Sequence, residues 1–278
     1  MGLRATVLHP ISKPLKRIKE QLDPNSGVNL YSRLERLLKT TPEIEALFPF
    51  ESLSKHYVYE PSRQTKEHPD VFANQVRYYR LYEYFKQFYP EIFSDKVSVV
   101  DVGDTSGIIL KALKRKGLSV NINPDVVEFI EKQGVAAQVG DIEKLPFDSK
   151  SFEYSFCFQC LEHLPNPVKG LSELSRITKK LVFVSIPYTT QTRIYSRQHW
   201  QELKKKSFKE GGWNEKDVRD VDGHKFEFST SDFIKIMTHA NLKCLEQFPL
   251  NYFTPLGKSQ VNDGTYFNFF ILKPDTNS

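Results

Sequence analysis

The amino-acid sequence predicts an α/β fold in which helices flank one seven-stranded, mostly parallel sheet, preceded by a helical extension. From about Val97 onward, short apolar runs alternate with amphipathic helical stretches, and this alternation produces a parallel sheet covered by helices. The residues before Val97 lack the alternation and contain helical stretches instead. The sequence therefore predicts a helical extension over residues 1–95 that could act as a lid, and a larger domain over residues 96–278.

The strands of the predicted sheet are short and separated by recognisable helix signals. The first predicted strand is continuously apolar, as buried parallel strands are. The predicted strands cover residues 97–102, 118–122, 136–139, 152–158, 181–186, 243–248 and 266–272. Between them, helices are predicted from Gly107 to Lys116, from Asn123 to Gly134, from Asn166 to Lys180 and from Ser229 to Asn241. A long polar and aromatic insertion, residues 188–228, precedes the last predicted helix, and loops of this length tend to be functional or disordered.

Composition narrows the function classes. The 278 residues are 39% hydrophobic and 26% charged, as in an ordinary globular protein. The net charge of +5 arises from 39 basic against 34 acidic residues and is spread along the chain, which does not favour a nucleic-acid partner. No run approaches the ~18 apolar residues of a membrane span, and no secretory signal is visible. We therefore expect a cytoplasmic protein with no membrane span.

The three cysteines do not predict a disulfide framework or a metal site. Cys157 and Cys160 lie in an apolar stretch, where thiols behave as small hydrophobes, and Cys244 is the remaining one. A zinc site would need a second cysteine pair or histidines at metal spacing. The sequence predicts no metal ligands.

The turn after the first predicted strand has the composition of a nucleotide-type binding turn. It runs from Asp101 to Gly107 and joins a buried strand to a helix N-terminus, where small residues and backbone N–H groups let a ligand approach. Glycines at such turns also occur for helix packing alone. Asn121 ends the second strand, twenty residues after Asp101 and near the position of a ribose-binding acid in dinucleotide folds. Alternatively, Asn121 and Asn123 end a strand and cap a helix.

Several motifs in order give the chain a resemblance to a known family. They are Val-Val-Asp101-Val-Gly-Asp-Thr-Ser-Gly107, Asn121-Ile-Asn-Pro124, Gly140-Asp-Ile-Glu-Lys-Leu-Pro-Phe147, and Ser151-Phe-Glu-Tyr154 leading into Cys160-Leu-Glu-His-Leu164. Together they resemble the class I S-adenosylmethionine-dependent methyltransferases, in particular the type 11 group. The resemblance covers roughly residues 97–187. It implies a Rossmann-like fold, S-adenosyl-L-methionine as cofactor and methyl transfer as the activity.

The resemblance also implies a set of cofactor-binding residues. These are Asp101, Gly103, Thr105, Gly107, Asn121, Ile122, Asp141, Ile142 and Gln159. The first turn would border the methionine part of the cofactor, and Asn121 would meet the ribose. Asp141 would face the adenine amino group, with Ile142 beside the ring. Gln159 would lie beside the cofactor on the route to the acceptor.

Two departures from the family pattern leave alternative functions open. Thr105 replaces the middle glycine of the usual turn, and Asn121 replaces the usual ribose-binding acid. Each could weaken binding, so a catalytically inactive S-adenosylmethionine-binding module with a regulatory or interaction role is an alternative. A nicotinamide-dependent oxidoreductase is disfavoured, because it needs Gly-x-Gly-x-x-Gly whereas three residues separate Gly103 from Gly107.

Few dedicated catalytic residues are needed for methyl transfer. The cofactor is already electrophilic, so alignment of the acceptor can supply most of the catalysis. If the acceptor is a hydroxyl, a base must take its proton, and the nearest candidates by motif position are His163, Glu162 and His224. We expect a small metabolite, sugar or lipid acceptor rather than nucleic acid. The acceptor itself and the oligomeric state are not readable from the sequence.

Overall fold

The computed structural model describes residues 27–49, 69–114, 117–194, 224–253 and 265–275. The described residues before the sheet are mostly helical, as predicted for this part of the chain. The helices are α1 (Gly27–Thr40), α2 (Pro42–Leu47), α3 (Pro69–Phe88) and a 3-10 turn (Pro90–Phe93). In the described residues, no helix combines the length and the apolar character that crossing a membrane requires.

The central sheet has seven strands, and its predicted, mostly parallel arrangement is confirmed. The strands are β1 (Val99–Val102), β2 (Leu118–Asn121), β3 (Ala136–Val139), β4 (Phe152–Phe158), β5 (Thr178–Pro187), β8 (Leu242–Asn251) and β9 (Thr265–Pro274). Their order is β3-β2-β1-β4-β5-β9-β8. The first five strands pair in parallel, and β9 pairs antiparallel with both β5 and β8. The strand order reverses between β1 and β4, which is where open α/β sheets form a ligand crevice at their carboxyl edge.

Four helices flank the sheet. They are α4 (Ile108–Ala112), α5 (Pro124–Lys132), α6 (Pro167–Ile177) and α7 (Thr230–His239), and a 3-10 turn (Leu161–His163) follows β4. Two predicted caps form: Asn123 accepts a hydrogen bond from the N–H of Asp125, and Ser229 accepts one from the N–H of Asp232. The predicted insertion contributes a short strand pair, β6 (Arg193–Ile194) and β7 (Phe226–Glu227), while residues 195–223 lie outside the described residues.

Several predicted boundaries differ from the structure. The helix predicted to reach Lys180 ends at Ile177, and β5 begins three residues before the predicted start at Leu181. The reason lies at Thr178, which pairs with Phe152 of β4 while its hydroxyl donates to the Leu174 carbonyl at 2.6 Å. A β-branched residue at a helix end can thus start a strand, and tertiary pairing decides the boundary. The helix after the first turn is also shorter than predicted.

The helix before the sheet shares its hydrophobic core. The Phe85 ring of α3 is fully buried and stacks on Phe156 of β4, with the ring centroids 5.0 Å apart. It also meets Phe183 of β5 edge-on at 5.1 Å. Because α3 packs directly on the central strands, side chains of the same helix can reach the carboxyl edge of the sheet.

Candidate active site

The carboxyl ends of β1 to β4 bring most of the predicted site residues to one edge. Hydrogen bonds continue past the strands, from the Gly103 N–H to the Val120 carbonyl at 2.8 Å and from the Gly140 N–H to the Asn121 carbonyl at 3.0 Å. The first turn, the end of β2 and the turn after β3 are therefore neighbours. Gln159 directly follows β4 and lies beside them, because β4 pairs with β1.

The two glycines of the first turn have different contacts. Both have a positive φ, 81° at Gly103 and 68° at Gly107, which side chains rarely adopt. A Cβ on Gly103 would lie 2.5 Å from the Cys160 sulfur, so the glycine lets the first turn touch the segment after β4. A Cβ on Gly107 would lie 2.9 Å from Cγ2 of Ile130, so this glycine permits packing of the turn on α5.

Asp104 fixes the shape of the first turn, and the sequence did not single it out. Its buried carboxylate accepts hydrogen bonds from the N–H groups of Ser106 and Gly107, each at 2.9 Å, and from the Ser119 hydroxyl at 2.9 Å. Backbone N–H groups at a helix start commonly bind ligand anions. Here the chain supplies its own anion. A local signal existed, since an Asp side chain commonly accepts hydrogen bonds from backbone N–H groups two and three residues later in a turn.

Asn121 is also held in place by the first turn. Its side-chain amide donates to the Asp104 carbonyl at 2.7 Å, and its side-chain oxygen accepts from the Asn123 N–H at 2.8 Å. The residue thus ends the strand, as one of its two interpretations predicted, and it also shapes the turn. An amide oxygen has two lone pairs, so this oxygen retains the capacity to accept from a hydroxyl.

Asp101 is buried at the centre of the edge. It is 3% exposed. Burial raises the pKa of the Asp101 carboxyl well above its usual range, and the nearby Asp104 and Cys160 raise it further. A buried acid of this kind gains stability when a cationic donor reaches it.

An apolar surface adjoins the polar turn. The side chains of Ile122, after β2, and Val139, at the end of β3, are 59% and 47% exposed. Asp141 is exposed beside them and accepts a hydrogen bond from the Glu143 N–H at 2.8 Å, whereas Ile142 is buried in the core. Exposed large aliphatic side chains next to polar groups offer a surface for a flat ring.

Gln159 has a strained backbone at the end of β4. Its φ is 55°, which is uncommon for a residue other than glycine. Two bonds to Ser185 of β5 hold it: its N–H donates to the carbonyl at 2.9 Å, and Nε2 donates to the hydroxyl at 3.1 Å. Strain that neighbours maintain in this way clusters at functional sites.

The three predicted catalytic residues come together. One potential ligand atom from each of Glu162, His163 and His224 lies within 4.8 Å of the other two. The two imidazole rings meet edge-on, with 4.9 Å between centroids. Lys225 fixes this arrangement, because its N–H donates to the Glu162 carbonyl at 2.7 Å and its Nζ donates to the His163 carbonyl at 2.5 Å. We call this group the Glu–His–His cluster.

Glu162 is the most deeply buried member of the Glu–His–His cluster. Its side chain is 1% exposed, and neither carboxyl oxygen has a hydrogen-bond partner in the part of the chain that the structure describes. Burial raises the pKa of Glu162 to about 8, partly opposed by the residue's own backbone N–H and, to a smaller extent, by the positive charge of Arg77. Burial also lowers the pKa of His224.

Two residues of α3, Arg77 and Tyr78, also reach this edge. The sequence motifs did not indicate them as site residues. The Arg77 guanidinium lies 4.8 Å from the centroid of the Tyr78 ring and 5.1 Å from that of Phe267. Burial raises the pKa of Tyr78, and the charges of Arg77, Asp104 and Asp101 also act on it. No motif marks these residues, because their proximity to the first turn depends on how α3 packs.

A family model matches the part of the chain that forms this edge of the sheet. Residues 100–185 match the family described as the methyltransferase domain. No curated protein matches the sequence.

Solved structures share the fold. An S-adenosylmethionine-dependent methyltransferase from Thermotoga maritima has 19% identity and a TM-score of 0.50, covering 81% of this chain and 100% of its own. A chain of the complex between the Haloferax volcanii Trm112 methyltransferase activator and a methyltransferase has 16% identity and a TM-score of 0.51, covering 73% and 91%. A Galdieria sulphuraria protein described as a sarcosine dimethylglycine methyltransferase has 10% identity and a TM-score of 0.51, covering 75% and 88%. The methyltransferase-domain match over residues 100–185 and the Rossmann-like fold together support a class I S-adenosylmethionine-dependent methyltransferase.

Proposed function

We propose that this methyltransferase acts on an oxygen or nitrogen atom of a small acceptor, a metabolite, sugar or lipid, at the carboxyl edge of β1 to β4. The observation that carries the proposal is the convergence of buried Asp101, strained Gln159 and the Glu–His–His cluster on that edge. S-adenosylmethionine supplies an electrophilic methyl group when bound, so the residues of the chain chiefly orient the two partners.

The first turn suits the amino-acid end of the cofactor. Asp101 is a buried acid with a raised pKa, and it would accept hydrogen bonds from the cofactor's ammonium group. The N–H groups of Ser106 and Gly107 already donate hydrogen bonds to the Asp104 carboxylate. The carboxylate of the cofactor therefore needs a different partner, such as a cationic side chain. Arg77 would supply it from α3. Gly103, Thr105 and Gly107 would border this end of the cofactor, as the resemblance implies.

The ends of β2 and β3 suit the adenosine. Asn121 would accept from a ribose hydroxyl through the second lone pair of its side-chain oxygen. Ile122 would cover one face of the adenine ring with its exposed side chain. Asp141 would accept from the adenine amino group, and Ile142 would border the ring from the core side. These assignments supply both an apolar face and polar edge contacts, as nucleoside sites require.

The acceptor would lie between Gln159 and the Glu–His–His cluster. Gln159 adjoins the first turn on one side, and Glu162 follows it by three residues in the same connection. A hydroxyl acceptor must lose its proton during or after attack, and the Glu–His–His cluster is the group that would promote this loss. Because Glu162 is buried, a small acceptor group reaches the cluster more readily than a folded nucleic acid. The thinly spread positive charge supports the same preference.

Calorimetry of cofactor binding tests the proposal. We expect saturable binding of S-adenosylmethionine and S-adenosylhomocysteine, with no binding of NAD. A screen of hydroxyl and amine metabolites, sugars and lipids should then yield S-adenosylhomocysteine in the presence of at least one acceptor. Absence of cofactor binding would contradict the assigned site. Tight binding without turnover on any acceptor class would instead support a module that has lost activity.

A further inference from the structure

We propose that the Glu–His–His cluster is a binding site for one divalent transition-metal cation, of the class that includes Zn²⁺ and Mn²⁺. Two imidazole nitrogens and one carboxylate oxygen lie within 4.8 Å of one another on Glu162, His163 and His224. Ligands that surround one tetrahedral ion at about 2.1 Å lie roughly 3.4 Å apart. A small closing movement of three side chains would therefore complete the ligand geometry.

The burial of Glu162 favours a cation over an empty cluster. Both carboxyl oxygens are buried and lack described hydrogen-bond partners, which costs free energy unless an ion or donor satisfies them. Arg77 is the cationic side chain whose charge acts on Glu162. It forms no ion pair with Glu162 in the described chain, since its guanidinium lies near the Tyr78 and Phe267 rings instead. The carboxylate therefore still lacks a directly bound cation.

The surrounding backbone holds the cluster as a unit. Both hydrogen bonds from Lys225 end on carbonyls of the 3-10 turn, so the segment that carries His224 is fixed against the segment that carries Glu162 and His163. Such support from neighbouring groups is what orients metal ligands. Imidazole and carboxylate together suit Zn²⁺, Mn²⁺ or Fe²⁺ better than Mg²⁺ or Ca²⁺, which prefer oxygen ligands alone. Three protein ligands also leave coordination positions open.

An open position gives the cation a role in methyl transfer, and this role rests on the proposed function. An acceptor hydroxyl that binds the cation loses its proton to solvent more easily, because the metal's charge lowers the hydroxyl pKa. The acceptor oxygen then forms the new bond to the methyl carbon with its lone pair. The carbon–sulfur bond breaks at the same time, and its electrons remain on sulfur to give the thioether. In this role the histidines hold the cation and do not accept the proton.

Metal binding can be measured without any methyl acceptor. The full-length protein is stripped with a chelator, then titrated with Zn²⁺ alone and with Mn²⁺ alone by calorimetry, and the bound metal is counted by mass spectrometry after dialysis. We expect about one equivalent in the wild type. Glu162→Gln and His224→Ala should each weaken binding at least tenfold. His239→Ala, which removes an exposed histidine on α7, is the matched control and should bind as the wild type does.

The outcomes separate this proposal from the cofactor assignment. Lack of stoichiometric binding by the wild type, or unchanged binding in both folded cluster variants, overturns the metal site. Circular dichroism confirms that the variants are folded, and Glu162→Gln keeps the shape of the side chain. Cofactor binding is measured separately on the metal-free protein, so its failure would count against the proposed function alone. If metal binds but chelation leaves methyl transfer unchanged, the cation has no role in the reaction.

Discussion

The first turn and the Glu–His–His cluster lie at the same edge of the sheet but differ in the hydrogen bonding of their buried polar groups. In the first turn, the Asp104 carboxylate and the Asn121 amide have partners within the chain. In the cluster, the Glu162 carboxyl oxygens are buried with no described partner. Buried polar groups that are hydrogen-bonded within the chain stabilise a turn. Buried polar groups without such partners are available to bind a ligand. The comparison suggests which acids at this edge are structural and which are functional.

The largest expected effect is a loss of stability in the first turn, where the buried polar groups are hydrogen-bonded. Asp104→Ala removes the acceptor for two backbone N–H groups and the Ser119 hydroxyl, all in a buried turn. We expect the free energy of unfolding to fall by about 3 kcal/mol or more, because unsatisfied buried donors are costly. Urea denaturation measures it. The exposed Asp125→Ala should change it by less than about 1 kcal/mol, and equal effects would remove the structural role of Asp104.

Asp101 should behave in the opposite way to Asp104. Asp101→Asn removes the charge that would meet the cofactor's ammonium group, so we expect weaker binding of S-adenosylmethionine by about 1.5–3 kcal/mol, measured by calorimetry. The exposed Asp95→Asn is the control and should bind with wild-type affinity. Wild-type affinity in Asp101→Asn would place the cofactor's ammonium group elsewhere.

The same variant makes a prediction about pH. The pKa of Asp101 is raised in the folded protein above the ordinary value of 3.8, so the unfolded chain releases this proton at lower pH. The wild type therefore loses stability from this residue as the pH rises above about 4. The compared quantity is the melting temperature of ligand-free Asp101→Asn minus that of the ligand-free wild type. We expect this difference to increase from pH 4 to pH 7. A difference that shrinks over this range would contradict the assigned environment.

A smaller effect is expected at the apolar surface beside the first turn. Ile122→Lys places a charge where the adenine ring should pack, and the lost contact is worth about 1 kcal/mol, or somewhat under tenfold in affinity. Because Ile122 is 59% exposed, the melting temperature should barely change. Leu245→Lys substitutes a side chain that is 45% exposed on β8 and should leave cofactor affinity intact. An equal loss in both variants would show that added charge, not position, matters.

The smallest effect on stability is expected in the Glu–His–His cluster, where the Glu162 carboxyl has no described hydrogen-bond partner. In metal-free buffer, Glu162→Gln exchanges a buried carboxyl without partners for a neutral amide, so the free energy of unfolding should be unchanged or slightly higher. Thermal denaturation beside the wild type measures this. A loss like that of Asp104→Ala would mean that Glu162 has a structural partner and would end the contrast between the two regions.

Local patterns in the sequence predicted much of the fold. The strands at Ala136–Val139 and Phe152–Phe158 and the caps at Asn123 and Ser229 all follow from neighbouring residues. The end of α6 did not, because Thr178 is drawn into β5 by pairing with Phe152. Strand pairing is a tertiary interaction that helix signals near the boundary do not contain.

In the candidate site, too, local motifs predicted some features, whereas others depend on tertiary packing. Motif order predicted that the first turn, Asn121 and Gln159 would share an edge, because parallel strands end together. Arg77 reaches that edge only through the packing of α3, which no local pattern records. The Glu–His–His cluster joins residues 62 positions apart, so the motifs could name its members but not their mutual distances.

A crystal structure with S-adenosylhomocysteine tests the central claim most directly. We expect the adenine against Ile122 and Asp141, the ribose at Asn121, and the amino-acid end between Asp101 and Arg77. The sulfur should face Gln159 and the Glu–His–His cluster. Density for the ligand at any other edge of the sheet, or a β1 to β4 edge filled by the protein's own side chains, would contradict the account.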